Sequence, residues 1–332
     1  MKKVLSIMAL MLSMTTLAAC GSEPAVTVQP TATTAAMTEP TATTAAMEAT
    51  PTLPPRTAAT ATTASTTGET PTTGAMTGGT LADIKARGRL IAGVKYDVRI
   101  FGYLNPETNK VEGFDVDLAK AVAERIFGDP EKVEFVEAIS ANRIPYLEQG
   151  KADVIFSTMT ANEDRAKQIE FSDTYYVAGQ SLLVPINSSI ASIKDLDGKT
   201  VGTVKGSTSE KNIAAKAPSA KIELFDAYAA AVQAMDAGRV EAVTTDDIIL
   251  YGFQRNSPDK FKVVGGQFTQ EPYAAGIKKG NTELLAEVNA TLRDLKQSGK
   301  WAEIYKKWIG SDPTSVPPQE WRDVYKQPTA TP

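Results

Sequence analysis

Lys95, Arg143, Thr160, Arg165, Ser207, Thr208 and Asp246 give this 332-residue chain its clearest prospects for chemistry. Each falls just after a stretch that reads as a short buried strand, or where such a strand turns into a helix. Lys95 follows 90–94, Thr160 and Arg165 follow 152–157, and Asp246 follows 241–244. Ser207 and Thr208 stand where 200–204 gives way to a helix, and Arg143 opens the helix after 133–136. In open α/β sheets, ligands sit beyond the carboxyl ends of the strands, and helix N-termini offer backbone N–H groups to anions. These side chains can pair with charges and donate hydrogen bonds. The commonest nucleophiles and proton carriers are scarce: there is no histidine and only one cysteine, Cys20. No Gly-rich phosphate loop and no Cys/His metal spacing appears.

The elements that must position these residues alternate. Apolar stretches at 90–94, 133–136, 152–157 and 181–184 read as strands, with helical periods at 117–127 and 142–149 between the first three. The second half repeats the pattern, with strands at 200–204, 222–225 and 241–244 and helices at 209–217 and 229–237. Alternation of this kind predicts parallel α/β sheets with right-handed crossovers. Some 230 residues are available for folding, about enough for two lobes of ordinary size.

The ends of the chain differ in character. Lys2 and Lys3 precede an apolar run at 4–17, and small residues then lead to Cys20. That is a secretory signal, too short to remain as a membrane span. Leu17-Ala18-Ala19-Cys20 also looks like a bacterial lipobox, whose cysteine is acylated to anchor the mature protein. A single cysteine permits no internal disulfide. From 21 to 79 the composition turns to Thr, Ala and Pro, with PTATTAAM at both 30–37 and 40–47. Such a tract has too little apolar surface to offset its ordering entropy. As a flexible coil it would span roughly 40–45 Å, a stalk between lipid and the folded domain. The segment 311–332 ends in similar composition. A net charge of −4 argues against a nucleic-acid partner.

Three motifs carry a more specific message: GFDVDL at 113–118, MTANEDR at 159–165 and FSDTYY at 171–176. Singly, they read as a helix start, an Asn-capped helix and an aromatic-bearing loop. In this order and spacing the chain resembles the family 3 extracellular solute-binding proteins, the amino-acid receptors of ABC importers. Further motifs fit as well: DLDGKTVGT at 195–203, GSTS at 206–209, GRVEAVTTD at 238–246, EPYAAG at 271–276 and IYKKWIG at 304–310. The resemblance spans 81–310. It implies two α/β lobes of the periplasmic-binding-protein type, joined by two crossing strands near 179–185 and 273–278. Lobe 1 would run over 80–180, completed by 275–310, and lobe 2 over 181–274. Helices at 281–295 and 301–309 would pack back on lobe 1, making Trp301, Tyr305 and Trp308 core residues.

The resemblance also implies roles. Arg165 matches the arginine that holds a ligand α-carboxylate, a task suited to a planar guanidinium fork; it could instead pair with Glu163 or Asp164 on the surface. Asp246 matches the acid that takes the α-ammonium, or else caps the following helix. Thr160 and the Ser207/Thr208 backbone would complete the carboxylate cradle, and Thr158 is expected among the ligand-binding residues. Asn162 departs from the family's usual threonine, and Ser140 stands where an aromatic clamp is expected. GVKYDV at 93–98 and SANR at 140–143 look like the acidic-amino-acid branch, unless Lys95 and Arg143 point to solvent. Three cations and one anion in a closed cleft demand neutralisation, and glutamate or aspartate supplies two carboxylates and one ammonium. The expectation is therefore a lipid-anchored, extracytoplasmic, monomeric receptor that delivers glutamate or aspartate to an ABC permease. No cofactor, no metal and no catalysis is expected; a sensor ectodomain or a dehydratase on the same fold are the alternatives.

Overall fold

The computed structural model describes residues 79–327. The signal segment, Cys20 and most of the Thr/Pro/Ala tract lie outside the described residues, as do 328–332.

The described chain opens with α1 (Leu81–Arg87) and β1 (Leu90–Val94). A small antiparallel excursion follows, of β2 (Asp97–Val98), β3 (Gly102–Asn105) and β4 (Lys110–Glu112). Then come α2 (Phe114–Phe127), β5 (Val133–Glu137), α3 (Arg143–Glu148), β6 (Val154–Ile155), α4 (Glu163–Ala166) and β7 (Ile169–Ala178). The second lobe holds β8 (Gln180–Pro185), β9 (Thr200–Val204), α5 (Thr208–Lys216), β10 (Lys221–Phe225), α6 (Tyr228–Asp236), β11 (Ala242–Asp246), α7 (Asp247–Asn256) and β12 (Phe261–Val264). The chain returns through β13 (Glu271–Lys278) and closes with α8 (Thr282–Ser298), α9 (Lys300–Ile309) and α10 (Trp321–Val324).

Two five-stranded sheets result, ordered β5-β1-β6-β13-β7 and β10-β9-β11-β8-β12. Neither is parallel throughout. The αβ repeats lay down β5, β1 and β6 in parallel, and likewise β10, β9 and β11. The strands entering and leaving the lobes, β7, β8, β12 and β13, run antiparallel to their neighbours. The sequence 171–176, which could pass for a loop, is the middle of β7. The stretch 152–157 pairs only over Val154–Ile155 before bending towards the cleft. Segment 273–278 is no crossing, because β13 pairs with β7 from Glu271 to Lys278 inside the first sheet. The chain crosses at Gly179 and again at 265–270. The crossings lie side by side: Gln180 N–H donates to Thr269 Oγ1 at 2.9 Å, and Phe268 N–H to Gln180 O at 2.9 Å. A Cβ on Gly179 would sit 2.6 Å from the Gln267 side chain.

Local chemistry explains the packing behind the cleft edge of the first sheet. Gly113 precedes α2 at φ 144°, and a Cβ there would come within 2.1 Å of Phe101 O. Only glycine admits that approach, which brings Phe101, Phe114, Tyr176 and Tyr273 into edge-to-face contact behind the site. Helices α8 and α9 cover the same core. Trp301 is 1 % exposed and donates through Nε1 to Tyr175 O at 3.0 Å, while Tyr305 and Trp308 are half-buried beside it.

Candidate functional site

Beyond the carboxyl ends of the parallel strands the two lobes meet. Thr160 and Thr208 bring their hydroxyls to 3.4 Å across the cleft, Arg165 Nη2 donates to Gly206 O at 3.1 Å, and Ala229 N–H donates to Asp97 Oδ2 at 3.2 Å. The lobes are closed on one another, and the residues singled out by sequence lie along their seam.

Lys95 leaves β1 at its carboxyl end and is 1 % exposed. Its ammonium donates to Ser140 Oγ at 2.9 Å and lies 5.5 Å from the centre of the Tyr228 ring on the opposite lobe. Burial, reinforced by the neighbouring Arg143 charge, pulls its pKa down to about 7. Arg143 opens α3 and is equally buried. Its Nε donates to Ser140 O at 3.2 Å, and its Nη1 to Ser157 O at 2.9 Å and Thr158 O at 3.1 Å. Its Nη2 carries none of these bonds. Neither cation points to solvent.

Thr158 holds a left-handed backbone, φ 44°, which is uncommon for a β-branched residue and typically costs about 1–3 kcal/mol. That turn aims its N–H at Asp115 Oδ2, 2.8 Å away, and its carbonyl at Arg143. Thr160 O accepts from Arg165 Nη1 at 2.7 Å. Asn162, in the threonine's usual place, caps α4 by accepting from Arg165 N–H at 3.0 Å. Arg165 thus spends its guanidinium on carbonyls of both lobes. Glu163 pairs instead with Arg322, and Asp164 with Lys167 and Lys211. Burial first, then Arg143, lowers the Arg165 pKa to about 9. Ser207 caps α5, accepting from Glu210 N–H at 3.2 Å and donating to Val204 O at 2.6 Å, with Thr208 as first helical residue.

Asp246 ends β11 and occupies the cap position of α7, yet makes no capping bond. Its Oδ2 accepts from the Tyr273 hydroxyl, while Oδ1 is buried with no partner. Burial, and then repulsion from Glu271, pushes its pKa well above the usual carboxylate range. A buried carboxylate oxygen without a donor favours protonation unless a cation arrives.

Four participants escaped the sequence reading. Asp115, in the first turn of α2, is fully buried, and burial raises its pKa to about 7. Its Oδ1 lacks a partner, and it feels both Lys95 and Arg143. Tyr228 and Tyr273 supply ring and hydroxyl next to the charges, and burial with Asp246 nearby pushes the Tyr228 phenol up to about 12. Glu271 is buried where β13 begins, accepting from Asn212 Nδ2 and Thr269 Oγ1, both at 2.8 Å. Asp115 stood inside GFDVDL, where an acid opening an apolar helix face was a usable signal. Glu271 and Tyr273 stood inside EPYAAG, a motif with no role attached to either residue, and Tyr228 carried no signal.

Lys95, Arg143 and Arg165 thus converge with Asp115 and Asp246 in a water-poor seam, one cation in excess. Unspent donors and orphan carboxylate oxygens favour a small ligand bearing both signs of charge. Among the described residues no group of acids and cysteines is placed to hold a metal, and no helix is long and apolar enough to cross a membrane.

Two α/β lobes closed over an ionic cleft define a solute receptor. A sequence profile of the bacterial extracellular solute-binding proteins, family 3, matches residues 90–311, and the chain belongs to that family. It is 47 % identical over 233 residues to the ABC transporter glutamine-binding protein GlnH of Bacillus subtilis (strain 168), covering 70 % of this chain and 85 % of that one. It is 33 % identical over 236 residues to the glutamate-binding protein GluB of Corynebacterium efficiens, covering 68 % and 80 %. Its fold is similar to that of an ancestral arginine-binding protein solved with glutamine bound, with TM-score 0.64 and 41 % identity over 68 % of this chain and 99 % of that one.

Proposed function

We propose that the chain is the amino-acid receptor of an ABC importer, anchored outside the cell through acylated Cys20, and that its ligand is glutamate or aspartate. Arg165 and the α5 N-terminus would hold the α-carboxylate, Asp246 Oδ1 the α-ammonium, and Lys95 with Arg143 the distal carboxylate. The observation that carries this reading is the burial of Lys95 and Arg143 together, close enough for the Arg143 charge to add to burial in lowering the Lys95 pKa, with donors left over. An anion is the partner that relieves them. Asp115 sharpens the charge argument. Counting Lys95, Arg143 and Arg165 against Asp115 and Asp246, the excess is a single positive charge, which a ligand of net charge −1 cancels. Nothing in the cleft demands catalysis, and the relatives are named as binding proteins.

Glutamine is the second reading. The Bacillus relative is named for it, and Glu271, buried beside Asp246 and outside that count, could offset the excess cation if the distal group were an amide.

Calorimetric titration of the mature protein with glutamate, aspartate, glutamine, asparagine and arginine separates these readings. Glutamate or aspartate should bind at micromolar or tighter, about −8 kcal/mol or beyond. The matching amide should bind at least tenfold more weakly, because it presents donors to donors. Lys95→Met should narrow that gap by weakening the acid. Glutamine binding tightest would replace the acidic ligand and leave the receptor; arginine binding tightest would remove Lys95 and Arg143 from the distal subsite.

A further inference from the structure

The family profile ends at residue 311, yet the described chain continues to 327 in close contact with lobe 1. This tail first lies along β7, the outer strand of its sheet: Thr174 N–H donates to Gln319 O at 2.8 Å, and Lys296 Nζ bridges Thr174 O at 2.6 Å and Pro317 O at 3.2 Å. It then reaches the cleft rim. Trp321 is 5 % exposed and packs on Ala161, Ala166, Phe171 and Ala274. Arg322 grips Glu163 with a two-pronged bond, 2.7 and 3.2 Å, and the Tyr325 hydroxyl donates to Ala161 O at 2.8 Å. At its far end Gln327 O accepts from Gln270 Nε2 at 3.1 Å, in the second crossing between lobes.

All three rim contacts fall on one short segment, 161–166, which bears Arg165. Helix α4 is only four residues long, too short to hold itself, since an isolated turn fixes several dihedrals for one hydrogen bond. Pro272 O accepts from Ala161 N–H and Lys279 Nζ donates to Ala166 O, both at 2.8 Å, and the strap's contacts add to these and to the N-cap bond in holding the segment. We propose that residues 311–327 form a strap whose Trp321, Arg322 and Tyr325 are positioning residues for Arg165. They hold segment 161–166 so that the guanidinium faces the cleft, and through Gln327 they tie that segment to the crossing where the lobes hinge. This rests on the receptor reading for the ligand, but the positioning itself can be measured without one.

The test uses full-length protein carrying Trp321→Ala, Trp321→Phe, or Arg322→Ala with Tyr325→Phe. Amide hydrogen exchange at 161–166 is read beside that of β1, and the dissociation constant for the best-binding amino acid is measured well below the melting temperature. The strap predicts faster exchange at 161–166 with β1 unchanged, and at least tenfold weaker binding in Trp321→Ala and the double variant, with Trp321→Phe close to wild type. Affinities within threefold of wild type and unchanged exchange would overturn it. Should Trp321→Ala fail to fold, the double variant decides alone. Should wild type bind no amino acid, the receptor reading falls, and faster or unchanged exchange at 161–166 still supports or overturns the strap.

Discussion

Lys95 and Asp115 are held by the same burial at opposite disadvantages, and their protonation makes the closed cleft's state measurable. The Lys95 ammonium, ordinarily near 10.5, is brought to about 7. Between those values the fold binds fewer protons at Lys95 than the unfolded chain does. Stability contributed there therefore rises with pH from about 7 to 10.5. Asp115 behaves in the opposite way. Its carboxyl, ordinarily near 3.8, is raised to about 7, so the fold holds the extra proton and stability falls as pH climbs through that interval. Asp246 is shifted in the same direction as Asp115. The ligand-free closed protein should thus show a shallow stability minimum near neutrality. Melting temperatures of Lys95→Met and wild type across pH 6 to 10 check the lysine half: the variant should lose the alkaline rise. A parallel pair of curves would mean that Lys95 is solvated when no ligand is bound. An acidic ligand should also raise the Lys95 pKa, so calorimetry at about pH 8 should record proton uptake with glutamate and little with glutamine.

At the scale of elements, the turn from β9 into α5 decides whether the lobes can meet. Gly206 sits there at φ 75°, and a Cβ on it would stand 2.8 Å from Ala141 Cα on the opposite lobe. Alanine would add a left-handed strain of about 1–2 kcal/mol and force the lobes apart where Arg165 reaches Gly206 O. Gly206→Ala should therefore weaken ligand at least tenfold while the circular dichroism of the fold is preserved; affinity within threefold of wild type would mean that the bound lobes stand further apart. This contact was legible only as a motif, GSTS, whose glycine could be read as a turn and not as a lobe-to-lobe contact. Strands β1, β9 and β11 were legible because nearly every position is buried and filled by apolar or β-branched residues, bounded by polar turns. Strands β2 to β4 and β7 were not. The first three are short and largely half-exposed, and β7 carries Ser172, Asp173 and Thr174 in its middle, buried by partners from α8, β13 and the strap that no local pattern announces. The site divides the same way. Lys95, Arg143, Arg165 and Asp246 follow strands or open helices in a readable pattern, whereas Tyr228, Tyr273 and Glu271 reach the cleft through tertiary packing alone.

At the scale of the whole molecule, the proposed anchoring through Cys20 is separable from binding. The residues that close the cleft all lie between Lys95 and Tyr273, and the strap that supports them is held by lobe 1. Cys20 precedes this fold by a Thr/Pro/Ala tract whose composition reads as a tether of roughly 40–45 Å, long enough for the receptor to turn towards a permease in the same membrane. One acyl chain binds a bilayer only marginally, and stable anchoring takes more than one; the lipobox reading supplies them on a single cysteine. Cys20→Ser should accordingly move the mature protein from the membrane to the soluble fraction while leaving its amino-acid affinity within twofold of wild type. Fractionation after a high-salt wash, followed by titration of the released protein, reads both. Retention on the membrane would refute the anchor. Release with lost affinity would show instead that segment 21–79 belongs to the binding unit and is no tether.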